Sequence, residues 1–260
     1  MSSDLEETYE EIRKSSSGPP TLELLLLASL CAYRLNEDGT VNKKLEEGTA
    51  LKADAELERS GYRSMDEIYS TIKGLNEASC VAFKQNNEPG TIIIAYRGTD
   101  SIDDLKSDVW LAMTGLPYRK KLSDALAFYT KIQDANPNST IILTGHSLGG
   151  HIATYVGMKI SAENTNFMVR TFNSAPTSFK KILNFMKYHN NDLYKFANYT
   201  MQYDVVSAGT FTLDLLGSVY CIKARAKNII QRFRCAHDIK FMYYCLSEGA
   251  PQAQRGVKRI

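Results

Sequence analysis

Residues 140–160 constrain this chain more than any other stretch. Thr140-Ile141-Ile142-Leu143-Thr144 has the unbroken apolar character of a strand covered on both faces. Gly145-His146-Ser147-Leu148-Gly149-Gly150 follows without a gap, and residues 151–160 continue as a helix of mostly small and apolar residues. A strand that turns into a helix through G-x-S-x-G must make a tight, strained bend that leaves the central serine at its tip. Glycine is required at 145 and 149 because a Cβ there would collide where the two backbones pass closely. Gly150 extends that close packing.

The neighbouring segments repeat the alternation of strand and helix. Strand-like runs are read at residues 79–83, Thr91–Tyr96, Phe167–Phe172 and Phe196–Met201, and a helix from about 123 to 135 that stops at Asn136-Pro137. A buried helix is expected over residues 24–32, approached through Pro19, Pro20 and Thr21, and short helices over 50–75. Strands alternating with helices predict an α/β fold with a mostly parallel central sheet flanked by helices. Residues 1–18, charged and then Ser-Ser-Ser-Gly, read as a disordered leader, residues 19–248 as one domain, and residues 249–260 as a flexible basic tail.

Composition narrows the partners. The chain has 31 basic and 29 acidic residues, a formal charge of +2, which gives no global drive toward nucleic acid. Its five cysteines are odd in number and lack C-x-x-C spacing, so reduced thiols in a cytoplasmic protein are expected and a metal site is not. No secretory signal is read at the polar, acidic start, and the apolar run 24–32 is too short to span a bilayer.

A serine hydroxyl is a poor nucleophile until a base takes its proton, and the base needs an acid to fix its tautomer. After a bend of this kind the partners follow in the order serine, acid, histidine. His146 flanks the serine and is expected to pack under the bend, His151 lies one turn into the helix, and His189 sits in the polar stretch YHNND. That leaves His237 as the base. For the acid, Asp204 ends the strand-like run FANYTMQY, placing a carboxylate at the carboxyl end of a strand. Its competitors are Asp192 in the polar loop, Asp214 inside FTLDLLG, and Asp238 beside the base. No cofactor is called for.

These segments resemble the class 3 (fungal-type) lipase family of the α/β-hydrolase superfamily. TGHSLGGHIA is similar to its nucleophile elbow, AYRGTDSIDDLKSDV to its oxyanion segment and lid helix, FNSAPTSF to the segment after the next strand, and YTMQYDVVS to the strand end bearing the acid. The resemblance runs from about residue 91 to 204 and more loosely to 237. It implies Ser147 as nucleophile, Asp204 as acid, His237 as base, and an oxyanion hole from the Leu148 and Thr99 amides with the Thr99 hydroxyl. Arg97 would support that loop and Asp108 the lid region. Where the family carries Pro-Arg-Val-Gly after a Gly-x or Ala step, this chain has Ala175-Pro176-Thr177-Ser178, and Ser207 replaces a proline after the acid's hydrophobic pair.

The implied activity is hydrolysis of a lipid carboxylic ester, acylglycerol or phospholipid. Two other readings stay open: an acyltransferase or thioesterase on the same residues, and a catalytically silent lipase-like scaffold. Ile102, Leu105, Val109 and Trp110 share one helical face. Periodicity fits a lid and a core helix equally, and only the resemblance favours the lid. Lys223, Arg225, Lys227, Arg232 and Arg234, interleaved with Ile229 and Ile230, are either a solvated face or a contact with an anionic membrane or lipid-droplet surface.

Overall fold

A computed structural model of the chain describes residues 19–34, 49–65, 80–87, 89–99, 119–162, 166–204, 206, 215–225, 228, 235–247 and 252–255. Among them, eight strands form one sheet in sequence order: β1 (Tyr62–Ser64), β2 (Cys80–Gln85), β3 (Thr91–Tyr96), β4 (Thr140–His146), β5 (Phe167–Phe172), β6 (Phe196–Met201), β7 (Ser218–Ile222) and β8 (Gln252–Arg255). Strands β3 to β7 are parallel; β1 and β2 are antiparallel at one edge and β8 at the other. The mostly parallel α/β sheet expected from the sequence is therefore present.

Alternate side chains feed two cores. Ile93 and Ala95 of β3, Ile142 of β4, Phe172 of β5 and Ala197, Tyr199 and Met201 of β6 face one side. There they meet α1 (Leu22–Cys31), α2 (Thr49–Arg59) and α6 (Ile239–Ser247). Ile92, Ile94, Ile141, Leu143 and Val169 face the other, against α3 (Arg119–Ala135), α4 (Leu148–Ile160) and α5 (Phe179–His189). Period-two alternation into two apolar layers is why these strands read as continuous apolar runs.

Helix α1 is apolar all round because it is buried all round: every residue from Leu25 to Cys31 is inside. Thr21 caps it by accepting the Leu24 amide at 3.3 Å. The hydroxyl of Ser29, its one buried polar side chain, lies 2.9 Å from the Leu25 carbonyl and 3.1 Å from the Thr144 hydroxyl of β4. A short 3-10 turn, Ala32–Arg34, then carries the chain to Tyr33.

The parallel register levels the carboxyl ends of three central strands: Tyr96 pairs with Gly145, and Gly145 with Thr171. The bend after β4 thus opens in the middle of the sheet's carboxyl edge. A Cβ at Gly145 would strike the Gly149 backbone, and one at Gly149 would strike the Tyr96 carbonyl, with the Arg97 backbone 2.9 Å away. Backbone on both sides leaves nothing to swing aside. Gly149→Ala is accordingly expected to destabilise the fold by about 3 kcal/mol, at the upper end of ordinary overpacking. A urea midpoint that stays at the wild-type value would refute that packing argument.

Residues 249–260, expected as a flexible tail, include β8, which is antiparallel to β7: Val219 faces Arg255 and Ile222 faces Gln252. Pairing closes an edge that β7 would otherwise present bare. The stretch 50–75, expected as short helices, gives α2 and then the three-residue β1. The leader 1–18, the candidate lid 102–110 with Asp108, and most of the basic stretch 223–234 lie outside the described residues. No helix among the described residues is long and apolar enough to cross a membrane.

Candidate active site

Ser147 sits between β4 and α4 with φ 57° and ψ −125°. A side chain rarely tolerates this conformation. It is held by its flanks: the Ser147 amide donates to the Phe172 carbonyl at 3.0 Å, and its carbonyl accepts from Gly150 and Ala175 at 3.0 Å each. Two strand ends and a helix thereby fix one strained residue.

The structure brings the three sequence-predicted residues together. His237 Nε2 lies 3.0 Å from Ser147 Oγ, and His237 Nδ1 lies 2.8 Å from Asp204 Oδ1. A carboxylate only accepts, so Nδ1 carries the proton and Nε2 is left to accept from the serine hydroxyl. Asp204 follows the end of β6 through a turn in which its own amide donates to the Met201 carbonyl at 3.2 Å. Its carboxylate is fully buried and also accepts the Val206 amide at 3.3 Å.

The competing acids are engaged elsewhere. Asp192 lies 2.9 Å from the Lys195 ammonium and 3.7 Å from His189. Asp238 accepts the Lys240 and Phe241 amides, at 2.7 and 3.3 Å, where α6 begins. Asp214 lies outside the described residues. His189, read as part of a polar loop, instead ends α5, half-buried with its ring stacked on Phe185 at 5.0 Å.

Leu148 is the first residue of α4, so its amide belongs to the N–H groups that no carbonyl within the helix can reach. Thr99 lies three residues past β3, partly buried. The segment that carries it runs against the bend: a Cβ at Gly98 would come within 3.2 Å of the Ser147 Cβ and 2.5 Å of the His146 carbonyl. Arg97 is buried, its guanidinium 5.8 Å from the centre of the Tyr33 ring.

Two further residues hold the site, of which Asn173 was not anticipated. Asn173, at φ 43° just past β5, donates from Nδ2 to the Ala236 carbonyl at 2.8 Å and accepts the Met201 amide on Oδ1 at 2.7 Å. One buried amide therefore ties the strand end before Asp204 to the turn that carries His237. His146 does more than pack under the bend. Its Nε2 lies 2.8 Å from the His237 carbonyl and its Nδ1 lies 2.9 Å from the Tyr33 hydroxyl. With Nε2–H donating to that carbonyl, Nδ1 accepts from the tyrosine. The carbonyls of residues 236 and 237 are thus both gripped from the sheet.

Burial pushes the His146 imidazole down to about 3, aided by the neighbouring His237, and pushes His151 down to about 4. Both are neutral in the fold near pH 7. Their folded values lie below the unfolded value of about 6.5, so the unfolded chain binds more protons below that pH. The stability tied to the neutral rings is complete above pH 6.5 and falls away as the pH drops toward 4 and 3. Between pH 7 and pH 5 each histidine should cost the fold about 2 kcal/mol. Urea unfolding across that range should show close to two extra protons taken up on unfolding, and one fewer in His151→Asn. A flat profile would contradict the buried, neutral assignment.

A serine on a strained bend, at the carboxyl edge of a mostly parallel sheet, with a histidine and a buried aspartate behind it, defines the α/β-hydrolase fold in its lipase-like form. Residues 66–259 match the Mbeg1-like family, and the chain belongs to that lipase-like family. Among curated proteins, none matches it by sequence. Solved structures with the same fold include the mono- and diacylglycerol lipase of Aspergillus oryzae, at 16% identity over 81% of this chain and 83% of that one, TM-score 0.50. Another is the MDLA of Penicillium cyclopium in a mutant form, at 14% identity over 79% and 80%, TM-score 0.51. At such identities the likeness is one of fold.

Proposed function

We propose that this protein hydrolyses the carboxylic ester of a lipid, an acylglycerol or a phospholipid, through an acyl-enzyme on Ser147. The reading is supported above all by the continuous relay of Ser147 Oγ, His237 and Asp204 at 3.0 and 2.8 Å. Ser147 Oγ attacks the ester carbonyl while His237 Nε2 takes its proton, and Asp204 stabilises the imidazolium that forms. The oxyanion is met by the amides of Leu148 and Thr99 and by the Thr99 hydroxyl, fixed donors worth a few kcal/mol each. The carbon–oxygen bond to the leaving alcohol breaks, and His237 returns the proton to that alcohol. Water, deprotonated by His237, then attacks the acyl-enzyme and the fatty acid leaves. No cofactor takes part. The substrate brings the protein to a membrane or lipid-droplet surface, and nucleic acid has no role.

A fluorophosphonate probe tests this directly. The folded wild-type protein should be labelled on the peptide that contains Ser147, and Ser147→Ala should not be labelled. Folded wild type that resists the probe would make the chain a silent scaffold. Product analysis with and without an added alcohol separates hydrolysis from acyl transfer, since both pass through the same acyl-enzyme.

A further inference from the structure

Helices α4 and α5, with Leu122 of α3, line a half-open cavity of about 620 Å3. That is within the roughly 300–1,000 Å3 typical of small-molecule sites. Ser147, Asp204 and His237 do not line it. His151, one turn along α4 from the bend, is one of its lining residues.

His151 is only 2% exposed, yet its ring borders the cavity. Its Nδ1 lies 2.8 Å from the Pro176 carbonyl. A carbonyl cannot donate, so the proton is on Nδ1 and Nε2 is an acceptor. Nε2 makes no hydrogen bond with a described residue. Nε2 is not among the buried side-chain atoms left without a partner, so it is open to the cavity, where a ligand hydroxyl can donate to it. The side chain of Thr177, also buried, stands beside it.

The charge of the walls is one-sided. Lys159 and Lys181 line the cavity from its two helices, and no carboxylate does so among the described residues. Lys181 is close enough to disfavour a proton on His151. The Lys159 ammonium lies 5.8 Å from the Tyr155 ring centre, at the border between charge and apolar wall. Behind it, Leu122, Met158 and Phe185 supply apolar surface.

We infer that this cavity binds a single-chain anionic amphiphile with a hydroxyl beside its charged head. The anion sits between Lys159 and Lys181, the hydroxyl donates to His151 Nε2, and the chain lies along Tyr155, Met158 and Phe185. Ester cleavage is not required for it, so the site stands apart from the function proposed for Ser147.

The test uses the full chain carrying Ser147→Ala, which silences any turnover. It is titrated calorimetrically with 1-oleoylglycerol 3-phosphate below its micelle concentration. Saturable one-to-one binding is expected, weakened about tenfold in Lys159→Gln/Lys181→Gln, where two charge-assisted contacts are lost. Both lysines have solvent access, so that variant folds, which circular dichroism checks. A chain-diazirine analogue should label peptides from α4 and α5. The inference fails if neutral 1-oleoylglycerol binds as tightly, if the double variant binds unchanged, or if the label lands elsewhere. Oleate, which lacks the hydroxyl, separates a free fatty acid from a glycerol phosphate: equal affinity would overturn the role given to His151. Displacement of the lipid by ATP would overturn the amphiphile in favour of a nucleotide.

Discussion

Ser147→Gly is expected to abolish ester turnover and to make the folded protein more stable by about 1 kcal/mol. The residue stands at φ 57° and ψ −125°, where a Cβ is crowded and glycine is at ease. Strain of this kind costs on the order of 1–3 kcal/mol. Glycine also loses more backbone freedom on folding, about 0.5–1 kcal/mol, so only part of the relief survives. Ser147→Ala keeps the Cβ and with it the strain. On the proposed mechanism both variants lose turnover on the order of 10^6-fold, the loss seen when a serine nucleophile of this type is removed. The two measurements that decide are the urea midpoint of the glycine variant against the alanine variant, and the rate on a lipid ester. Equal midpoints would mean the bend stores no strain.

Asp204→Asn should lower kcat by about 10^4-fold while KM and the melting temperature move little. The carboxylate is fully buried, 2.8 Å from His237 Nδ1. Asparagine has nearly the same shape, so the packing survives. What goes is the negative charge that favours the imidazolium during attack. If the new NH2 group turns toward Nδ1, the ring must also change tautomer and present an N–H to Ser147, where a proton acceptor is required. A variant that keeps activity to within about tenfold would show that the acid lies elsewhere.

The site was legible where local chemistry demanded particular residues. Gly145, Gly149 and the apolar run before them declare a close crossing of backbones, and the structure has that crossing at the Tyr96 carbonyl. Strands β3, β5 and β6 fall at the bounds expected, β3 as an apolar run and β5 and β6 as short segments rich in aromatic and β-branched residues. Asp204 was separable from its rivals by its place at a strand end. What escaped is long-range or short. The contacts of Tyr33 with His146 and of Asn173 with Ala236 join residues 113 and 63 positions apart, and no spacing rule announces such a pair. Strand β1 has three residues, too few for a period to show. Helix α5 did carry a signal: Ile182 and Phe185 are buried three apart while Lys180 and Lys187 are exposed.

The matched family region begins at residue 66, but the folding unit does not. Leu25, Leu26, Leu27 and Leu30 cover one face of the sheet, and burying them is worth on the order of 10 kcal/mol, comparable to the whole stability of a domain. Tyr33, at the end of the same segment, steadies the ring that in turn steadies His237. A fragment trimmed to residue 66 would therefore lose its solubility before its activity could be assayed. Anyone cutting this molecule down for crystallisation or expression should start no later than Pro19, two residues before the Thr21 cap of helix α1.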